Sequence, residues 1–332
     1  MVSYPTVPLP TCQPRVPAGE LAASIRRWVS SPPLRDLVAE FGGHWPELET
    51  GALLDWLDRF SAEHWDFRER SGSVERDEVD AGPFPPQRVE LVGAAARALG
   101  LSEPLPPPGR GYHHLLVLGG LARACLVRSG YAAHLLGTGA VEAPSVAALG
   151  SFRPLRTPET GLLERLGWPG CRYEVDAMAA GVRMAFGFGQ PHARESATDQ
   201  QVTHRSWSVW SYRAPDRPAA QVLAAPSTEP EARRATTPDT YHFWARRVTL
   251  SARDRVLVVT SPIYVPFQHC DAVRALGLRY GCGVDTVGFD PALVTEPLLR
   301  QTFGPDRYLQ ELRSGIRSMR DLFHALSQPA RA

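Results

Sequence analysis

Five continuous apolar runs, each closed by a turn signal and followed by a helical pattern, dominate the chain after residue 111. They are HLLVLGG ending at Gly120, PSVAALGSF ending at Phe152, AQVLAAPS ending at Ser227, DRVLVVTS ending at Ser261 and VDTVGF ending at Phe289. Runs of Val, Leu and Ala without polar alternation suit strands covered on both faces, as in a parallel sheet. Helical candidates lie between them, around LARACLVRSGYAAHLL, EVDAMAAGVRMAFG, TTPDTYHFWARRV and QHCDAVRALGL. This alternation predicts an α/β fold with an open, mostly parallel, Rossmann-like sheet flanked by helices.

The remainder of the chain is organised around that sheet. Residues 20 to 101 place apolar and aromatic side chains at helical spacing, as in Leu53, Leu54, Trp56, Leu57 and Phe60, and predict two to four helices. The stretch SEPLPPPGRG, residues 102 to 111, bars both helix and central strand. It predicts a boundary between a helical N-terminal region, 1–104, and a Rossmann-like domain, 112–332. Between Arg194 and Arg217 the chain is polar, with Trp207, Trp210 and Tyr212 alternating, which suits an edge strand or a lid. RYLQELRSGIRSMRDLFHAL near the C-terminus is an amphipathic helix expected to pack back on the domain.

Composition limits the chemistry. All 36 basic residues are arginine and lysine is absent, so no Schiff-base, P-loop or general-base lysine is available. Oxyanions must be held by guanidinium groups, backbone N–H groups or hydroxyls. A net charge of +1 gives no bulk attraction to nucleic acid or to an anionic membrane, and a small-molecule partner is expected. The five cysteines are odd in number and widely spaced, which predicts a reducing compartment rather than a disulfide framework or a zinc site. Without an apolar run of membrane-spanning or signal-peptide length, a cytoplasmic location is expected.

In an open parallel sheet, ligands bind beyond the carboxyl ends of the strands, where the strand order reverses. The residues following the runs are therefore the site candidates: Gly119, Gly120 and Arg123; Ser151 and Arg153; Ser227, Arg233, Arg234, Thr236 and Thr237; Thr260 and Ser261. Glycine admits close approach, and arginine forks match oxyanions at two points. Glu174 and Asp176 open a helix, where either can cap the N-terminus or Glu174 can serve the site. His113 and His114 precede the first strand and so lie at the edge away from the expected site. No nucleophile elbow, Walker motif or metal-binding histidine pair is present.

The ordered series LLVLGGLARA, ALGSFRPL, YEVDAM, APSTEPEARRATTPDTYHF and VLVVTSPIYVPFQHCDAVRAL resembles the SanA/ElyC/YdcF family over residues 112 to 290. The resemblance implies a Rossmann-like domain with site residues Gly119, Gly120, Arg123, Glu174, Ser227, Thr237, Thr260 and Ser261. It also implies S-adenosylmethionine as a ligand to consider. Four positions depart from the family pattern: Thr236 stands for its usual Asn, Tyr241 or a neighbour for its later Asn, Tyr264 for its His and Phe267 for its Arg. The expectation is binding of an anionic or nucleotide-like small molecule at the sheet's carboxyl edge, as an enzyme of small-molecule metabolism or as a non-catalytic sensor or partner subunit. The N-terminal and C-terminal helices could supply an oligomer contact in either case.

Overall fold

A computed structural model describes residues 2–67 and 83–327 of the chain. The five apolar runs form five strands: β1 His114–Leu118, β2 Ser145–Gly150, β5 Ala219–Ala224, β6 Arg255–Thr260 and β7 Gly283–Gly288. The polar stretch contributes β3 Ala193–Ala197 and β4 Trp207–Tyr212. The sheet order is β3-β4-β5-β2-β1-β6-β7. Strands β5, β2, β1, β6 and β7 are mutually parallel, and β3 and β4 extend the β5 edge in antiparallel fashion. This is the mixed α/β, Rossmann-like architecture expected from the runs.

Strand alternation sends successive β1 side chains to opposite faces. Leu115 and Val117 join a core built with α5 Ala122–Gly137, α6 Thr157–Arg165 and α7 Glu174–Phe186. Leu116 and Leu118 join the opposite core, with α8 Thr237–Val248 and α9 Val265–Ala272. Helix α9 runs on through a π-helical turn, Val273–Gly277. The same core contains the N-terminal helices α1 Ala18–Val29, α2 Pro32–Glu40, α3 Thr50–Trp65 and α4 Pro86–Ala98, and the long C-terminal helix α10 Pro305–Leu326.

The expected division at residues 102–111 is therefore not a division of the core. Leu21, Ile25, Trp28, Leu54 and Leu57 are buried in one cluster with Leu116, Val256 and Val258 of the sheet. Before the first helix, the extended chain crosses to the far edge of the sheet, where Val284 N–H donates to the Cys12 carbonyl at 2.8 Å. Residues 68–82 lie outside the described residues; within 20–67 and 83–101 the helical periodicity correctly marks an apolar face but does not specify what that face packs against. Here it packs on α10, whose Leu309, Leu312, Ile316, Met319 and Leu322 are buried at three- and four-residue spacing. Helix α10 in turn is tied to α9, where the Ser318 hydroxyl donates to Asp271 at 2.5 Å and to the Phe267 carbonyl at 3.0 Å. It is tied to α3 by Arg320–Asp58 and His324–Asp55. This packing fixes the first turn of α10 beside the carboxyl ends of the strands.

Candidate functional site

Chain connections leave β1 in one direction towards β2 and β5, and in the other towards β6 and β7, so the strand order reverses between β1 and β6. A cleft of about 550 Å³ opens there, beyond the carboxyl ends of the strands. Such reversal points leave a crevice that neighbouring crossover helices cannot fill. Of the sequence-predicted residues, Gly119, Gly120, Arg123, Arg153, Glu174, Arg234, Thr237 and Ser261 line it, together with Ser151 and Thr236.

Three predicted residues lie outside the lining. Thr260 is fully buried and its hydroxyl donates to Gln268. Ser227 and Arg233 brace the loop before α8: Arg233 Nη1 reaches Asp239 Oδ2 at 2.6 Å and the Ser227 hydroxyl at 3.3 Å. Asp239 also accepts from the Thr236 N–H at 2.7 Å and the Thr228 hydroxyl at 2.6 Å, capping α8. Burial alone would raise its carboxyl, but these donors hold it below the usual carboxylate range. Arg233 is thus spent on the loop, leaving its neighbour Arg234 to face the cleft. His113 and His114 lie at the amino end of β1, the opposite edge, as expected.

The two acids that open α7 divide their roles. Asp176 caps the helix, accepting from the backbone N–H groups of Arg172 and Tyr173, each at 2.8 Å. Glu174 turns into the cleft instead, where it is 9% exposed and accepts from the Ser151 hydroxyl at 2.6 Å. Burial pushes its carboxyl above the ordinary carboxylate range, against the opposing pull of Ser151, Arg153, Arg234 and the Gly120 N–H. Gly119 is required for this approach: a Cβ there would overlap Glu174 Oε1 and stand 2.6 Å from the Leu149 carbonyl.

The glycine turn is held from every side by the protein itself. Gly119 N–H donates to Leu149 O at 2.8 Å, and the Ala122 N–H at the head of α5 donates to Glu159 Oε1 at 2.9 Å. The turn's carbonyls accept from arginines: Arg128 reaches Gly119 O, and Arg153 Nη2 reaches Gly120 O at 2.8 Å. Arg153 also grips Glu159 at 2.8 and 2.9 Å and lies 3.6 Å from Glu174. Burial alone would lower Arg153, but Glu159 and Glu174 more than offset it, and Arg153 stays charged.

Two arginines in the lining escaped the sequence reading. Arg128 sits mid-helix in α5, fully buried, with Nε and Nη2 on the Ser261 hydroxyl at 3.1 and 2.9 Å and Nη1 on Leu118 O at 3.0 Å. Burial lowers its pKa. Arg307, in the first turn of α10, is 7% exposed and lines the cleft. Among the described residues its guanidinium makes no ion pair, and its Nε has no hydrogen-bond partner. In all, five arginines and one carboxylate line the cleft, with Tyr264 and Phe267 supplying an aromatic wall.

Comparison with known proteins assigns the chain to a family. The uncharacterized protein Rv3785 of Mycobacterium tuberculosis is 32% identical over 344 aligned positions, which cover 96% of this chain and 95% of the relative. The chain belongs to the Rv3785 family. A counterpart in Mycobacterium bovis, Mb3814, matches to the same extent, and the Rv3785 N-terminal domain family matches residues 12–100. No solved structure matches the chain. These findings overturn the resemblance to SanA/ElyC/YdcF proteins, and the expectation of S-adenosylmethionine, which rested on it, goes too. The motifs behind that resemblance are short strand–turn–helix segments, which any Rossmann-like sheet needs at its strand ends. The two positions carrying that family's His and Arg are here the aromatic wall, Tyr264 and Phe267. No helix among the described residues is long and apolar enough to cross a membrane.

Proposed function

We propose that the Rv3785-family cleft binds an anionic small molecule, and that Glu174 exchanges a proton with it in an enzyme of small-molecule metabolism. The observation that carries the reading is the charge of the lining: five arginines against one carboxylate, at the reversal point of a parallel sheet. Not all five are equally available. Arg128 and Arg153 hold the glycine turn, whereas Arg123, with one bond from Nε to Leu298 O at 3.2 Å, and Arg234 and Arg307 keep guanidinium donors for a ligand. Glu174 supports the enzymatic part. A carboxyl raised by burial changes protonation nearer neutral pH than an ordinary one, which suits a general acid or base.

The test is to incubate purified protein with fractionated metabolites, recover bound compounds and identify them by mass spectrometry. The proposal expects an anionic compound, retained by wild type and by Glu174→Gln but lost from Arg234→Ala. Conversion of that compound should be lost in Glu174→Gln. Retention of neutral or cationic compounds only would refute the reading.

A further inference from the structure

The cleft has two ends that could take an anion: the glycine turn at the head of α5, where Rossmann-like proteins offer free amides, and the first turn of α10. They are not equivalent here. At the head of α5 the Ala122 N–H is already bonded to the Glu159 carboxylate, and the Gly119 and Gly120 N–H groups are bonded to Leu149 O and Glu174. Two of those three acceptors are carboxylates of the protein. An incoming phosphate would meet their negative charge and would have to break the ion pair from Arg153 to Glu159, whose side chains are only 12% and 6% exposed. The two arginines bonded to the turn are both committed to the protein: Arg153 has both Nη atoms on protein oxygens, and Arg128 has its Nε, Nη1 and Nη2 on Ser261, Leu118 and Gly119.

The opposite wall is short of anions. Arg307 is more than nine-tenths buried, lines the cleft and lacks an ion-pair partner among the described residues. It also stands in the first turn of α10, the positive end of a 22-residue helix, where a buried cation is electrostatically unfavourable and an anion is favoured. Asp306 in the same turn is half-buried and makes no ion pair with it. Arg234 enters the cleft from the loop before α8, and the rings of Tyr264 and Phe267, 6.3 Å apart, line it as well.

Building on the anion-binding reading above, we infer that Glu159 acts as a resident anion at the head of α5 and that the ligand's anionic group docks on Arg307. The ligand class is a compact organic phosphate monoester or carboxylate whose apolar body lies against Tyr264 and Phe267. A dinucleotide with its pyrophosphate on the glycine turn is excluded by the same arrangement. Arg234 contributes a second, exposed contact to the anion.

The experiment is calorimetric titration of the full chain at low ionic strength with inorganic phosphate, phenyl phosphate, benzoate and ADP. Phenyl phosphate should bind more tightly than inorganic phosphate, and benzoate against phenyl phosphate reports whether carboxylate or phosphate is preferred. Arg307→Gln should weaken phenyl phosphate by about tenfold or more, the scale of a charge-assisted hydrogen bond. Arg234→Gln, exposed and outside the core, should weaken it in the same direction, so the inference stays testable if the α10 variant folds poorly. Glu159→Gln should leave its affinity within about twofold of wild type. If Arg307→Gln and Arg234→Gln bind as wild type while Glu159→Gln gains affinity, the anion sits at the glycine turn and this inference alone falls. ADP binding more tightly than phenyl phosphate would overturn it likewise. If wild type binds no anion at all, the proposed function falls with it.

Discussion

Arg153 and Glu159 face each other in a two-point ion pair, Nη1 to Oε2 at 2.8 Å and Nη2 to Oε1 at 2.9 Å, with both side chains largely buried. The pair does more than neutralise charge. Through Glu159 it closes the first amide of α5, and through Arg153 it holds the Gly120 carbonyl. Removing one partner strands the other in the protein. Arg153→Ala is therefore expected to cost about 3 kcal/mol of stability, the range for breaking a buried pair. Arg153→Met with Glu159→Met should cost less than Arg153→Ala alone. Urea denaturation of the two variants checks the order; a loss below about 0.5 kcal/mol in Arg153→Ala would place the pair with ordinary surface contacts.

The pH dependence of stability should carry two opposite signatures from the same cleft. Burial alone would raise Glu159, but Arg153 and the Arg156 and Ala122 N–H groups leave it below its ordinary value. A depressed carboxyl contributes stability that is present above its unfolded pKa, about 4.3, and is lost as pH falls through the folded value. Glu174 is raised by burial, so its contribution is full below the unfolded pKa and is lost as pH rises through the folded value. Glu174→Gln, which keeps an acceptor for the Ser151 hydroxyl, should gain stability relative to wild type as pH rises from 4 to about 8. Glu159→Gln should lose stability relative to wild type as pH rises through the acid range up to about 5, the window between its depressed folded value and its unfolded value. Melting temperatures across pH measure both, and parallel profiles for the two variants would contradict the assignment.

The sheet is legible in the sequence because its information is local. The runs at β1, β2 and β6 are nearly all Val, Leu and Ala on both faces, with β5 and β7 interrupted only by Gln221 and by Asp285 and Thr286, and such a run of five or six residues closed by Gly, Ser or Pro has few other uses. Trp210 and Tyr212 share one face of β4 and Trp207 the other, and their strand lies towards the sheet's edge, paired on one side to β5 and on the other to the exposed β3. The strand-end rule likewise brings together residues as distant as Gly119 and Ser261. What escapes depends on packing between distant segments. Arg128 is one arginine among 36, and only the position of the Ser261 hydroxyl and two carbonyls explains its burial. Arg307 reaches the cleft because α10 is clamped between α3 and α9, a relationship no local pattern encodes. Ser227 and Arg233 follow a strand as expected, yet Asp239 holds Arg233, which in turn holds the Ser227 hydroxyl.

Glycine at 119 should be irreplaceable, whereas glycine at 130 should not be. A Cβ at Gly119 would meet a backbone carbonyl at 2.6 Å, which cannot turn aside, as well as the Glu174 carboxylate. Gly119→Ala is expected to cost about 1–3 kcal/mol, as overpacking does, and to displace Glu174 from Ser151. Gly130 lies mid-helix in α5, exposed, and a methyl group added there would have nothing within 4 Å. Gly130→Ala should stabilise by up to about 1 kcal/mol, because alanine restricts the unfolded chain and favours helix. Thermal denaturation of the pair tests the contrast, and equal shifts would refute the close approach at Gly119.

Two arginines of α10 should respond to the same substitution in opposite ways. Arg320 near its C-terminal end bonds Asp58 of α3 and Asp321, so Arg320→Met removes a partly exposed ion pair and should cost up to about 1 kcal/mol. Arg307 in the first turn has no ion-pair partner among the described residues and is buried against a helix N-terminus. The Nε of that guanidinium is buried without a hydrogen-bond partner, and the charge has no carboxylate among the described residues to offset its desolvation. Arg307→Met keeps much of the side chain's length and removes the charge, and it should raise stability by about 1 kcal/mol. The two positions are thirteen residues apart, about 20 Å along the helix, so their effects should add in the double variant. The proposal of an anion on Arg307 links this gain to a loss: phenyl phosphate should stabilise wild type and Arg320→Met against heat, but not Arg307→Met. A lower melting temperature in Arg307→Met without ligand would mean that the guanidinium holds the fold together, and the cleft would have to take its anion elsewhere.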